Sequence, residues 1–346
     1  MIKRYRLGVI GYGGMGRQYV REAQASDRWE VAGVCEISPE AQDAAREAAP
    51  QARIVNKEDD LFADSSIDVV GLFTLADHRP GQIRRALAAG KHILAEKPIA
   101  AEPEEEWDLV RLIESSGLLT AVNLFNRNAW YQKEARAFVA SGQIGRLGIV
   151  RVSHMTPGLM PGLGHAPEGP PFHDCGMHYV DVARWHAGSE YDTWHATGVR
   201  MWGEPAPWWV QAHGRFKNGV VFDITQGFVY GQMAKDRVVN CYLDLIGTFG
   251  IARFRHDFRE VTLELHGVDE TIRKVNPYGG KKLDIMLDLM ARSLDAGRDL
   301  GLPSARDAAV ASEVSWAMLR QAAADGPPVI GTQEDMRRIV ERRRLV

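Results

Sequence analysis

Three side chains of this 346-residue sequence, Lys97, Asp174 and His178, are of types and spacings suited to moving a proton at a reacting oxygen. Asp174 and His178 are four residues apart in His173-Asp174-Cys175-Gly176-Met177-His178, a segment that reads as a loop entering a helix. At that spacing both would share one helix face. A carboxylate beside a histidine orients the ring and stabilises its protonated form, which equips it as a general base near neutral pH. Two plainer readings compete. Asp174 could cap the helix with His178 a satisfied core residue, or His165, His173 and His178 could join Asp174 around a metal. The histidines lack a compact ligand spacing, so no metal site is expected.

Lys97 ends the run His92-Ile93-Leu94-Ala95-Glu96-Lys97-Pro98. An uninterrupted apolar run suits a strand buried on both faces of a parallel sheet. Ligands of such sheets lie beyond the carboxyl ends of the strands, where Lys97 would project. Pro98 stops the ladder behind it. Taken alone, Glu96 and Lys97 read first as an ordinary strand-end ion pair.

The third element of chemistry is Gly11-Tyr12-Gly13-Gly14-Met15-Gly16, preceded by a predicted strand over 5–10 and followed by a predicted helix over 15–25. A strand over 29–35 then ends on Glu36, an acid 20 residues beyond Gly16. This is the context and spacing of a dinucleotide fingerprint. Gly11 permits the turn, Gly13 lets backbone approach a pyrophosphate, and Gly16 lets helix and strand pack closely. Unpaired N–H groups at the helix start face the phosphates. Glu36 suits the ribose hydroxyls and would repel a 2′-phosphate, and no Arg or Lys follows it at once, so NAD is expected rather than NADP.

The elements that must position these groups fall into two patterns. Up to about residue 125, strands at 54–55, 67–74, 92–95 and 120–125 alternate with helices at 39–49, 57–63, 80–89 and 102–116, which implies a doubly wound parallel sheet. Beyond it, a helix over 130–141 and a strand over 148–156 lead into a loop dense in Gly and Pro at 157–171. Strand-like runs at 196–202, 209–216, 220–226, 238–247, 250–254 and 261–265 follow, joined by short turns that suit antiparallel neighbours. Amphipathic helices are expected at 283–296 and 304–324. The predicted fold class is α/β, with a dinucleotide-binding domain over 1–125 and a second domain over 126–346 carrying a large, mostly antiparallel sheet.

Hydrophobic residues make up 45%, charged residues 25%, and the net charge is −3, which argues against a nucleic-acid binder relying on strong positive charge. The Arg337-Arg338 and Arg342-Arg343-Arg344 clusters read as a solvated helix face or tail. Cys35, Cys175 and Cys241 show no paired spacing, which suits a reducing compartment. No apolar run approaches the ~20 residues of a membrane span, and the start reads as a strand rather than a signal peptide. A cytoplasmic protein without membrane or nucleic-acid partners is expected. Trp202, Trp208 and Trp209 could stack on sugar or serve a core or subunit interface.

Together the motifs carry a resemblance. The chain resembles the glucose–fructose oxidoreductase / inositol dehydrogenase / MocA (Gfo/Idh/MocA) family on the glycine loop at 11–16, Ala89-Gly90-Lys91-His92, Glu96-Lys97-Pro98, Ser141-Gly142-Gln143-Ile144-Gly145 and Asp174-Cys175-Gly176-Met177-His178. The resemblance implies a Rossmann domain followed by an α/β domain whose open sheet holds substrate on one face and often an oligomer partner on the other, as homodimer or homotetramer. Helices late in the chain could pack back on the Rossmann domain. It also implies a catalytic set of Lys97, Asp174 and His178, with His178 taking the hydroxyl proton, Asp174 orienting it, and Lys97 on the reacting oxygen. Cofactor contacts are implied for Gly11, Tyr12, Gly13, Gly14, Met15, Gly16, Glu36, Thr74, Leu75, Arg79, Glu96, Lys97 and Asn126. Arg127, His154 and His165 join the catalytic residues on the substrate side, and the Lys97–Pro98 bond is expected to be cis. The sequence departs from the family after Thr74, where Pro, Asn and a later His are usual and Leu75, Ala76 and Arg79 stand instead. The expected activity is NAD-dependent oxidation of a secondary hydroxyl of a carbohydrate or polyol. Glycoside cleavage or epimerisation through tightly bound NAD is an alternative, and a non-catalytic nucleotide sensor a second one.

Overall fold

Apolar runs too short for helices and flanked by Gly and Pro become strands in the first part of the chain. They are β1 (Tyr5–Ile10), β2 (Trp29–Cys35), β3 (Arg53–Val55), β4 (Val69–Leu72), β5 (His92–Ala95) and β6 (Thr120–Val122). Between them run α1 (Gly14–Ala25), α2 (Pro39–Ala48), α3 (Asp59–Phe62), α4 (Arg79–Ala88) and α5 (Pro103–Ser116). All pairings are parallel, in the order β3-β2-β1-β4-β5-β6, the doubly wound arrangement. The structure, a computed structural model, describes residues 3–158 and 166–344.

The later part supplies α6 (Trp130–Ala140), β7 (Leu147–Met155), a π-helical turn (Phe172–Gly176), α7 (Met177–Ala187), β8 (Tyr191–Met201), β9 (Pro207–Phe216), β10 (Val221–Gly227), β11 (Asn240–Gly247), β12 (Ile251–His256), β13 (Glu260–His266) and β14 (Thr271–Pro277). The chain ends with α8 (Leu283–Ala296), α9 (Ala305–Ala324), β15 (Val329–Ile330) and α10 (Gln333–Arg344). A nine-stranded sheet runs β14-β13-β12-β11-β7-β10-β9-β8-β15, antiparallel except for β7/β10 and β8/β15. The molecule divides into two compact units, residues 1–128 with 281–309, and residues 129–280 with 310–346.

In the first unit α8 covers the sheet. Leu283, Met286, Leu287 and Met290 join Trp29, Tyr5 and Val31 in one core, and the Trp29 indole N–H donates to the Leu287 carbonyl at 3.1 Å. In the second unit residues alternate cleanly across the sheet. Val150, Val152 and His154 of β7, Phe222, Ile224 and Gln226 of β10, and Cys241, Leu243 and Leu245 of β11 are buried on one face. The other face carries one row across eight strands, His195, His213, Asp223, Arg151, Asp244, Arg253, Glu264 and Arg273, each paired with the next in register. Its ion pairs are loose, 3.3 to 3.9 Å between heavy atoms.

Several expectations shift for local reasons. The strand predicted to reach residue 125 ends at Val122, because Leu124 N–H turns back to the Val122 carbonyl and Phe125–Asn128 coils into a 3₁₀ turn. The predicted helix over 57–63 shortens to Asp59–Phe62. Two strands have no counterpart in the sequence reading. β14 is mostly exposed and lacks alternating apolar residues, and β15 has only two residues. Trp202 and Trp208 are buried and meet edge-on at 5.2 Å, packed with Phe228 and Ile339 of α10, so they are core rather than a sugar platform. Among the described residues no helix is long and apolar enough to cross a membrane.

Candidate functional site

In the first unit the carboxyl ends of β1, β2 and β4 meet at the glycine loop, where Gly11 N–H donates to the Cys35 carbonyl and Phe73 N–H to the Ile10 carbonyl. Gly11 has φ +89°, and a Cβ there would lie 2.9 Å from the Phe73 carbonyl oxygen. A Cβ on Gly16 would lie 2.0 Å from the Gly11 carbonyl oxygen, so only glycine lets α1 start this close to β1. Gly13 and Gly14 face open space, and Gly13 precedes α1 with no side-chain cap on the free N–H groups. An exposed cradle of N–H donors fits a pyrophosphate. Glu36 is held beside it: its carboxylate accepts from Tyr12 N–H at 2.8 Å, Ile37 N–H at 2.7 Å and Ser38 N–H at 3.0 Å.

Lys97 follows β5, is buried, and precedes a cis Lys97–Pro98 bond. Glu96, also buried, accepts from the Asn123 amide at 2.6 Å. The loop behind it is anchored by Ile99 N–H, which donates to Glu106 at 3.0 Å. Arg79, where the family pattern has histidine, is a strut. Its guanidinium donates to the Pro98 carbonyl at 2.5 Å and to the Thr74 carbonyl, tying the loop after β4 to the loop after β5. The Thr74 hydroxyl donates to Gln82 at 2.6 Å, while Leu75 is exposed. Asn126 is buried with an amide nitrogen that finds no partner among the described residues. Arg127 forms an ion pair with Asp307 at 3.0 Å.

In the second unit Asp174 lies inside the π-helical turn and His178 in the first turn of α7, both buried. The predicted single α-helical face is therefore broken by a wider turn, a device that recurs at functional sites. Asp174 lies within the π-helical turn, whereas the residues at the N-cap positions of the two segments are Pro171 and Gly176. His173 is fully buried and structural. Its Nδ1 meets the Glu168 carbonyl at 2.7 Å, its Nε2 the Ser312 hydroxyl at 2.8 Å, and its ring stacks on Trp316. It is therefore tied away from the metal set considered above. His165 lies outside the described residues.

His154 stands at the end of β7, stacked on Tyr179 at 4.5 Å, with the Cys175 thiol 3.9 Å from its Nδ1. Its register neighbours on the buried face are Gln226, Cys241 and, beyond Cys241, His256. Gln226 is fully buried, and among the described residues neither end of its amide has a partner. Phe258 in the β12–β13 turn adopts φ +70°, unusual for a bulky residue, and presents its ring edge-on to His154 and His256. Burial first, then the field of His256, hold the His154 pKa down at about 3. Burial, opposed by Asp257, holds that of His256 at about 4. Sequence reasoning missed Gln226 and His256, whose only signal was register across strands far apart in the chain, and Tyr179 and Phe258, which reach His154 from α7 and from the β12–β13 turn. It also missed Lys281, whose ammonium lies 3.0 Å from the Met15 sulfur and 5.2 Å from the Phe125 ring.

Residues 5–124 match the model of an oxidoreductase family with an NAD-binding Rossmann fold, GFO/IDH/MocA, and residues 132–269 match the model of its C-terminal domain. A 1,5-anhydro-D-fructose reductase of Ensifer adhaerens is 29% identical over 52% of this chain and 55% of its own. The chain spans about half the length of the curated relatives it matches. A solved oxidoreductase from Agrobacterium radiobacter, in complex with NAD+, L-tartaric acid and magnesium, superposes with TM-score 0.81 at 18% identity over 94% of this chain and 97% of its own. A 3-ketoreductase from Actinomadura kijaniata, in complex with NADP and TDP-benzene, superposes with TM-score 0.76 at 18% identity over 95% of this chain and 99% of its own. At these identities the structures share the fold, and that fold occurs with either dinucleotide.

The depressed histidines make stability depend on pH. Each folded pKa lies below the ordinary 6.5, so the unfolded chain binds the extra proton. The stabilisation is complete above about pH 6.5 and is lost as pH falls toward 4, by up to about 1.4 kcal/mol per pH unit for each histidine. Denaturant unfolding at pH 7.5 to 4.5 should show this slope, and His154→Asn with His256→Asn should flatten it. An unchanged slope in the double variant would overturn the assignment.

Proposed function

The chain belongs to the Gfo/Idh/MocA oxidoreductase family, and from that premise we propose that it exchanges a hydride between nicotinamide dinucleotide and a secondary hydroxyl, or the matching ketone, of a sugar, glycoside, sugar acid or cyclitol. The observation that carries this reading is the junction of Glu36 with the glycine loop, a preformed ribose acceptor beside an open N–H cradle. Gly11 to Gly16 would hold the pyrophosphate and Glu36 the adenosine ribose. Glu96, Thr74, Leu75, Arg79 and Asn126 belong to the same reading, Arg79 mainly by fixing the loops that carry the others. When bound, the dinucleotide supplies the hydride acceptor.

His178 is assigned the hydroxyl proton, with Asp174 as its orienting carboxylate and Lys97 as the donor that polarises the reacting oxygen. Base assistance of this kind is worth roughly 10²–10⁴ in rate. His154, neutral and stacked, is assigned a hydrogen bond to a substrate hydroxyl. Arg127 is engaged by Asp307 and would act on substrate only by leaving that pair. Glu36 favours NAD, because a 2′-phosphate would meet a carboxylate already fixed by three backbone N–H groups.

The open sheet face supports a homodimer. Nearest the line between β7 and β11 its charged row is opposite in sign, Arg151 and Asp223 on one side facing Asp244 and Arg253 on the other. A two-fold axis along that line would set Arg151 against Asp244 of a second copy, Asp223 against Arg253, and His213 against Glu264. The neighbouring row, Val221, Ile149, Ile246 and Ile251, is apolar, and Val221 and Ile149 are exposed.

Three measurements test these assignments. Lys97→Ala and His178→Asn should each abolish nicotinamide reduction across a polyol and sugar panel while NAD affinity stays within a few-fold, and near-normal turnover in both would sink the mechanism. NAD should bind at least about 10-fold tighter than NADP, with Glu36→Ser narrowing the gap; equal affinities in the parent chain would remove Glu36 from this role. Sedimentation should give a dimer that Arg151→Glu weakens and that a second change, Asp244→Arg, restores. A monomer in the parent protein would reject the interface.

A further inference from the structure

Arg237 is a cation that the reading above leaves without a task. It lies on the connection 228–239 between β10 and β11, at the end of the sheet that carries His154 and Gln226. Its guanidinium stands 4.9 Å over the ring of Phe258. That ring in turn meets His256 at 4.8 Å, Tyr278 at 5.4 Å and His154 at 5.9 Å. Arg237 is therefore fixed by an aromatic face, at the rim of a wall made of rings.

Among the described residues no carboxylate pairs with Arg237. The acid nearest the wall in sequence, Asp257, spends its carboxylate on the N–H groups of Arg259 at 2.8 Å and Glu260 at 2.9 Å. The field of Arg237 reaches inward, since it lowers the pKa of both His154 and Cys241. The two histidines of the wall are neutral near pH 7 and offer hydrogen bonds without charge. Phe258 holds its place at a backbone conformation that a bulky residue rarely takes, which ties the platform to this one turn.

We propose that Arg237 is a specificity-determining residue that receives the anionic group of an acidic sugar or cyclitol derivative, so that the substrate carries a carboxylate or phosphate besides the hydroxyl it exchanges. A guanidinium placed over a ring still has N–H groups for bidentate contact with an oxyanion. The aromatic wall would take the apolar C–H face of the sugar ring, and His154 a hydroxyl. The proposal rests on the oxidoreductase reading for the chemistry, and on Arg237 alone for the charge.

The test compares glucuronate, galacturonate and glucose 6-phosphate with glucose and myo-inositol, in the NAD-loaded parent chain and in Arg237→Met and Arg237→Lys. Binding is read as thermal shift and turnover as nicotinamide reduction. An acidic member should bind and turn over best, and Arg237→Met should lower its kcat/KM about 10- to 100-fold, mainly through KM. Arg237→Lys should recover part of the loss, and neutral substrates should be unaffected. A preference for carboxylates over the phosphate, or the reverse, names the anion. Neutral substrates favoured over every acid, or equal losses for both classes in Arg237→Met, would overturn the proposal and leave the oxidoreductase reading intact. Arg237-dependent binding of an acid without any nicotinamide reduction would keep the anion site and sink the oxidoreductase reading.

Discussion

The approach of α1 to β1 is the constraint on which the first unit turns. With a Cβ on Gly16 only 2.0 Å from the Gly11 carbonyl oxygen, any side chain there would drive the helix start off the strand end. That contact is backbone on backbone, so no neighbour can yield to relieve it. Because α1 starts so close, its free N–H groups open onto the carboxyl end of β1, beside the crevice at the switch point of the sheet. Tyr12 N–H then comes within reach of Glu36, and the carboxylate joins the two strand ends in addition to the backbone bond from Gly11 N–H to the Cys35 carbonyl. Ribose recognition and loop shape thus share one side chain.

A different economy governs the second unit. One sheet face is buried beneath α6 and α7, and most of its positions are aliphatic, yet the row through His154 holds Gln226, Cys241 and His256 as well. Burying an amide with neither end satisfied costs on the order of 1–3 kcal/mol. A polar row in an otherwise apolar layer is therefore selected for something other than stability. The same end of the sheet carries the π-helical turn and the left-handed Phe258, two further local costs within one region. Strain and unsatisfied polarity gathered in one place are what a binding wall looks like from the standpoint of folding.

Much of this was legible in the sequence, and the limits have physical causes. Parallel strands buried on both faces write themselves as apolar runs, so β1, β2 and β5 stood out, and the glycine loop announced the turn that joins β1 to α1. Short-range spacing also placed Asp174 and His178 within one turn of each other. It could not reveal the π-helical insertion, which depends on how the chain enters from a loop of prolines and glycines. Nor could it find Gln226, which meets His154 by strand register, or Phe258 and Arg237, which reach the same place from a turn and a connection far along the chain. Arg79 is a further case. From the family pattern it read as a departure at a cofactor loop, whereas in the fold its guanidinium links the Thr74 and Pro98 carbonyls.

That strut changes how the departure should be understood. A histidine at this place could donate one ring N–H at a time, whereas a guanidinium can donate in two directions at once. Arg79 is buried, so each N–H it commits to a carbonyl is one that water cannot satisfy. The carbonyls it holds flank Lys97 on one side and the end of β4 on the other, which means the lysine and the loop after β4 are positioned by the same group. Leu75 and Ala76 bring neither a proline ring nor a short amide to this loop, and the long-range tie from Arg79 anchors its start at the Thr74 carbonyl. A buried charge reaching two loops at once is invisible to any motif read along the chain.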